Sequence, residues 1–175
     1  MSLSNLRFAS FPITGQIFYN SSLSVGLVNL KPLVSGHVLV IPKRVVPRFS
    51  GLTPDEVSDL FAAVHSISKQ MEIYHKASSM TIAMQDGVYA GQSVPHVHVH
   101  VIPRKKGDFD PMDDIYPSLE NLHLNKEYEQ ARKTFFIDAE ERKPRSATEM
   151  ESEALEYTSL FPPNNRVPRN YFSMS

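Results

Sequence analysis

Between Val94 and Pro103 the chain alternates histidine with valine: Val94-Pro95-His96-Val97-His98-Val99-His100-Val101-Ile102-Pro103. β-Branched residues at period two read as a strand whose successive side chains point to opposite faces. His96, His98 and His100 therefore share one face, and Val97, Val99 and Val101 the other. The prolines suit a strand's first residue and its end, where a missing N–H costs least. Three imidazoles in a row do not build a core, so this face is where chemistry is expected.

The rest of the chain supplies a setting for such a strand. Gln16–Tyr19, Leu23–Val28 and Gly36–Ile41 read as three strands joined by turn-forming residues, an antiparallel meander. Thr53 is a plausible N-cap, Pro54 takes the first helical position, and Asp55 and Glu56 complement the positive end of the dipole. Val57, Leu60, Phe61, Val64, Ile67, Ser68, Met71 and Tyr74 continue that helix with one apolar face, to about His75. Ser79–Gln85 reads as a fourth strand, and Asp86–Ser93 is a loop of small residues that leads into the histidines. Lys105–Asp114 is read as a mobile loop, with weak helical patterning near Leu124–Phe136. Ser146-Ala147-Thr148-Glu149 resembles a capping box opening a helix to about Leu160, and the last fifteen residues look like tail.

At 175 residues the chain suggests a single catalytic domain, followed by a charged extension that is partly helical or disordered. A formal net charge of −1 gives no global reason to bind nucleic acid or a membrane surface. No run of about 18 apolar residues is present to span a bilayer. The N-terminus lacks the basic-then-apolar layout of a secretory signal, so a location in the cytoplasm, or also the nucleus, is expected. The absence of cysteine excludes disulfides and thiolate zinc sites.

Two chemistries fit the histidines. Neutral imidazoles are common zinc ligands, and His37 would add a fourth nitrogen to His96, His98 and His100. Alternatively one histidine is a covalent nucleophile and its neighbours bind an anion. The loop bearing Gly87, Gly91, Gln92 and Ser93 favours the second, because glycines admit backbone N–H groups and the hydroxyl and amide are phosphate donors. His65, His75 and His123 have no partners in the pattern and read as ordinary surface or helix residues.

His96-Val97-His98-Val99-His100-Val101-Ile102 resembles the histidine triad, in which each histidine is followed by a hydrophobic residue. Asn29-Leu30-Lys31-Pro32, Ser35-Gly36-His37-Val38-Leu39-Val40, Leu52-Thr53-Pro54-Asp55-Glu56-Val57, Gln85-Asp86-Gly87 and Ala90-Gly91-Gln92-Ser93-Val94 are similar to the fragile-histidine-triad branch, especially its fungal dinucleoside polyphosphate hydrolases. The resemblance implies an α+β fold, a five-stranded antiparallel sheet with a long helix, and a homodimer whose sheets join. It divides the chain into a catalytic domain over 1–120 and the extension over 121–175. The implied substrates are diadenosine triphosphate and also the tetraphosphate, cleaved to AMP plus ADP or ATP. A divalent cation, Mg²⁺ or Mn²⁺, would accompany the polyphosphate.

The resemblance also implies roles. His98 is the nucleophile attacking the α-phosphorus, to give a nucleotidyl-histidine intermediate. His96 orients it, partly through its backbone carbonyl, and His100 contacts phosphate oxygens with His37 in support. Gln85, Gln92 and Ser93, with the backbone at Gly91 and Val94, bind the phosphates, and Asn29 holds the ribose. No protein-held metal is implied. Adenosine phosphoramidase activity, or a nucleotide-binding signalling module acting through its occupied state, are the alternatives. A phosphoramidase of the triad kind carries a C-terminal tryptophan, which this chain lacks.

Overall fold

The computed structural model describes residues 3–109 and 143–172. Two short strands, β1 (Arg7–Phe8) and β2 (Phe11–Pro12), form a hairpin. The main sheet then forms from β3 (Ile17–Asn20), β4 (Ser24–Val28) and β5 (Val38–Pro42). Helix α1 (Pro54–Tyr74) precedes β6 (Ser79–Met84) and β7 (Val99–Arg104). Helices α2 (Ala147–Thr158) and α3 (Arg169–Phe172) close the described chain. The order in the sheet is β3-β4-β5-β7-β6, antiparallel throughout. The expected five-stranded α+β architecture is present.

Local chemistry explains α1. Thr53 accepts the Glu56 N–H at 3.2 Å while the Glu56 carboxylate accepts the Thr53 N–H at 2.9 Å, a reciprocal cap that satisfies two end donors. Arg44 holds the same carboxylate through two bonds of 2.8 and 2.6 Å. This ion pair depresses the Glu56 pKa to about 2. Leu60, Ala63, Val64, Ile67 and Met71 are buried at helical spacing, each stabilising the fold by about 1.5–3 kcal/mol for the larger side chains. Phe61 lies outside this stripe, 42% exposed. Gly26 on β4 makes the helix's approach possible, because a Cβ there would stand 2.7 Å from Ile67 Cδ1. Lys76, at φ +50, turns the chain out of the helix.

The alternation of the histidine stretch survives with a shorter strand. Val97, Val99 and Val101 join the core cluster that contains Leu60, Val64 and Ile67, whereas Ile102 packs with Leu33, Val34, Ala83 and Phe109. Sheet pairing begins only at Val99, opposite Val40 and Met84. Residues 94–98 are not ladder because their backbone bonds go elsewhere: the Val97 N–H reaches the Val46 carbonyl at 2.7 Å. The strand also runs through Pro103, in a stretch that only β6 pairs.

Two other expectations are corrected. The loop after Arg104 is tied down as far as residue 109. Asp108 accepts Arg104 Nε and Nη2 at 2.7 and 3.0 Å and the Lys105 N–H at 3.0 Å. The rest of that loop, the weak helix near Leu124–Phe136, His123 and the boundary at 120 lie outside the described residues. The supposed tail is core. Phe161, Val167, Tyr171 and Phe172 are buried with Met150, Ala154 and Tyr157 of α2. Tyr171 donates its hydroxyl to the Ile13 carbonyl at 2.9 Å and accepts the Gly15 N–H at 3.0 Å. The prolines and asparagines at 162–165 form a turn between buried anchors.

Candidate active site

Register brings the expected residues to one face. His100 pairs with Leu39 and Ala83. His37 precedes β5 and sits diagonally from His100, with ring centroids 5.2 Å apart. Asn29 follows β4, whose last pair is Val28–Val38, so the next step sets it opposite His37. Its Nδ2 lies 3.2 Å from His37 Nε2. Gln85 directly follows Met84, which pairs with Val99 at the end of the β6–β7 ladder. The His98 and His100 rings are 5.0 Å apart and edge-on.

Backbone partners assign the tautomers of His96, His98 and His37, and His37 in turn that of His100. A backbone N–H can only donate and a carbonyl can only accept. His96 Nδ1 accepts from the Ala9 N–H at 3.1 Å, so its proton is on Nε2, donated to the Pro42 carbonyl at 3.0 Å. His98 Nδ1 donates to the His96 carbonyl at 2.7 Å. The lone pair of neutral His98 is therefore on Nε2. The Leu33 N–H donates to His37 Nδ1 at 3.1 Å, so His37 Nε2 donates to His100 Nδ1 at 2.9 Å. That relay leaves the proton of neutral His100 on Nε2, as a donor.

Burial disfavours a charge on His96 and His98. His96 is fully buried, and burial lowers its pKa from 6.5 to about 4, with the charge that His98 would carry adding to the effect. Burial likewise lowers the His98 pKa, against the opposing pull of the His96 carbonyl.

Most of the ring nitrogens are bonded within the protein. Both nitrogens of His96 are committed to the backbone, and Nδ1 of His98 and both nitrogens of His37 carry their own bonds. Among the described residues no three His, Asp or Glu side chains group as metal ligands.

The loop before the histidines differs from the open cradle expected. Gln92 accepts the Gly87 N–H at 2.8 Å and donates to the Pro47 and His96 carbonyls at 3.0 and 3.3 Å. The Gly91 N–H goes to the Val88 carbonyl and the Gln92 N–H to the Gly87 carbonyl. Through these bonds Gln92 and Gly91 stiffen the loop and fix the carbonyl that orients His98. Ser93 is exposed and Val94 half-buried beside them. Of the histidines read as ordinary, His65 is exposed on α1, while His75 is half-buried and 2.9 Å from the Tyr157 hydroxyl.

One part of the site had no reading from sequence. The β1–β2 hairpin reaches back over the histidines, and Phe8 packs against His96 and His98 at 5.5 and 5.2 Å between centroids. Ala9, at φ +52, is in the left-handed region, which costs roughly 1–2 kcal/mol for a residue with a Cβ. That turn aims its N–H at His96. The one available signal was two phenylalanines separated by a two-residue turn.

Comparison with known proteins agrees with this geometry. A model of the HIT domain matches residues 11–107. An asymmetrical bis(5'-nucleosyl)-tetraphosphatase of Schizosaccharomyces pombe is 48% identical, over 85% of this chain and 90% of the relative. A bis(5'-adenosyl)-triphosphatase of Dictyostelium discoideum is 44% identical, over 85% of this chain and 87% of its own length. Among solved structures, the Caenorhabditis elegans NitFhit protein superposes with a TM-score of 0.70 at 38% identity, covering 92% of this chain and 31% of that one.

Proposed function

The chain belongs to the HIT domain family, and from that premise we propose that it hydrolyses dinucleoside polyphosphates. Diadenosine triphosphate, and the tetraphosphate with it, are cleaved to AMP plus ADP or ATP. The relatives' names include both a triphosphatase and a tetraphosphatase, at similar identity. The observation that carries the mechanism is the His98 Nδ1–H bond to the His96 carbonyl, which leaves Nε2 as the nucleophilic atom.

Nε2 attacks the α-phosphorus as the bridging P–O bond breaks, and ADP or ATP departs as an anion. The adduct is cationic at the ring, and the His96 carbonyl at 2.7 Å stabilises that charge through a bond strengthened by it. A protonated His96 would repel the adduct, so its depressed pKa serves the same step. The His100 Nε2–H, with Gln85 and Ser93, meets charge building on the nonbridging oxygens, and Asn29 holds the ribose. Water then attacks phosphorus, Nε2 recovers its electron pair, and water's proton leaves to solvent. A divalent cation, Mg²⁺ or Mn²⁺, accompanying the polyphosphate would partly neutralise its charge.

Stereochemistry tests the covalent step. Each in-line attack inverts phosphorus, so two attacks give net retention in a substrate made chiral at the α-phosphorus with sulfur and cleaved in isotopically labelled water. Net inversion would mean direct attack by water and would remove the nucleotidyl-histidine.

A homodimer is part of the proposal. Among the described residues β6 is an edge strand paired only with β7, and its Ile82 is 49% exposed. The opposite edge is guarded by the Tyr19–Arg166 bridge. An open edge with an exposed isoleucine is a surface for strand pairing. Sedimentation should give about twice the 19.8 kDa chain mass, and a monomer at micromolar concentration refutes the joined sheet.

A further inference from the structure

The segment 29–37 carries Asn29 and His37 between two strands; Arg145, beyond the HIT-domain match, holds one end, and His75 stands against the other. At the first end Arg145 donates through Nε to the Asn29 carbonyl at 3.0 Å, and its Nη2 donates to the same oxygen. Its backbone N–H reaches the Leu30 carbonyl at 3.0 Å. The Asn29 side chain accepts the Lys31 N–H at 3.0 Å, so backbone and amide of the ribose-facing residue are fixed together.

Arg145 is in turn held from α2. Its Nη1 is 2.5 Å from Glu153 Oε2, and both side chains are only 20% exposed. The other carboxylate oxygen accepts the Tyr157 hydroxyl at 2.9 Å. With its one proton given there, Tyr157 accepts from His75 Nε2, also at 2.9 Å. His75 closes the second end. Gly36 has φ +84, and a Cβ on it would stand 2.5 Å from the His75 ring. The next residue is His37, which holds His100.

Helix stability does not explain an arginine here. Arg145 directly precedes the N-cap Ser146, at the positive end of the α2 dipole, where a cation is unfavourable. Its charge is spent on Glu153 and on the carbonyl of Asn29, and such charge-assisted bonds are about twice as strong as neutral ones.

We propose that Arg145 is a positioning residue of the active site, setting the segment that carries Asn29 and His37, so that the C-terminal helix determines nucleotide affinity. The proposal rests on the nucleotide-hydrolase reading above. Full-length wild type, Arg145→Ala, Arg145→Lys, Glu153→Gln and Tyr171→Phe are compared by melting temperature, hydrolysis of diadenosine triphosphate and calorimetric affinity for AMP. Arg145→Ala should raise KM and weaken AMP binding by about five- to tenfold, the scale of one net hydrogen bond. Arg145→Lys, which keeps the charge, should recover part of the loss. Tyr171→Phe, which touches Ile13 and Gly15 instead, should melt earlier with KM and AMP affinity unchanged.

An Arg145→Ala chain that melts earlier yet keeps KM and AMP affinity within about twofold of wild type, a change too small for one bond, overturns the proposal. If Arg145→Ala does not fold, Arg145→Lys and Glu153→Gln decide by the same two readouts. A wild type that binds AMP without cleaving the dinucleotide refutes the hydrolase reading, while AMP affinity still judges Arg145.

Discussion

Replacing His96 with asparagine should flatten the acid side of the stability profile. His96 has no exposed surface, and its two bonds, from the Ala9 N–H and to the Pro42 carbonyl, require the neutral ring. Burial lowers its pKa to about 4 in the folded chain, against roughly 6.5 in the unfolded one. Between those values the unfolded chain holds a proton that the folded chain lacks. Stability is therefore complete above about pH 6.5 and falls as pH falls, by about 1.4 kcal/mol per pH unit. Over the window down to about pH 4 the loss reaches ~3 kcal/mol, a large share of the 5–15 kcal/mol that a domain typically has. Asparagine keeps an acceptor for Ala9 but has nothing to titrate. Because it also loses the Pro42 bond and some volume, His96→Asn starts lower at neutral pH; the slope, not the level, is the measurement. Urea unfolding followed from about pH 7.5 to about pH 4.5 should show wild type losing stability faster than the variant. His98 and the carboxylates titrate in both chains and cancel. Parallel curves would refute the claim that His96 is kept neutral at the expense of acid stability.

Three further outcomes are expected. His98→Ala should lose at least about 10³-fold in kcat while still binding substrate, whereas exposed His65→Ala should change little; equal losses would misplace the nucleophile. The acid limb of kcat/KM should have its midpoint below the roughly 6.5 of a free imidazole, because burial lowers the His98 pKa and activity needs the neutral ring; a midpoint above that value would contradict the burial argument. Tyr171→Phe should cost about 1–3 kcal/mol in urea unfolding by stranding the Gly15 N–H and Ile13 carbonyl, and an unchanged midpoint would mean that the C-terminal segment does not hold the core.

Much of this arrangement was legible in the residues. The two-residue period of His96–Val101 announced the chemical and the packed faces, and both capping boxes, at Thr53 and Ser146, opened helices where expected. Such signals are local, carried by neighbours along the chain. What escaped was set by partners far away. Ala9 meets His96 across 87 positions and Arg145 meets Asn29 across 116, and no spacing rule connects them. Gln92 has the chemistry of a phosphate ligand, and its bonds to Gly87 and His96 became visible only in the fold. Pro162-Pro163-Asn164-Asn165 misled because turn composition marks a bend and says nothing of what is buried on either side.

The bond between Tyr171 and the Gly15 region also has a consequence for biosynthesis. The two residues are 156 positions apart. At elongation rates of about 5–20 residues per second, roughly 8 to 30 s pass between their additions to the growing chain. For most of that interval Ile17 and Phe18 exist without Phe161, Tyr157 or Tyr171 to cover them. A chain still lacking those residues leaves the apolar floor at the β3 edge uncovered.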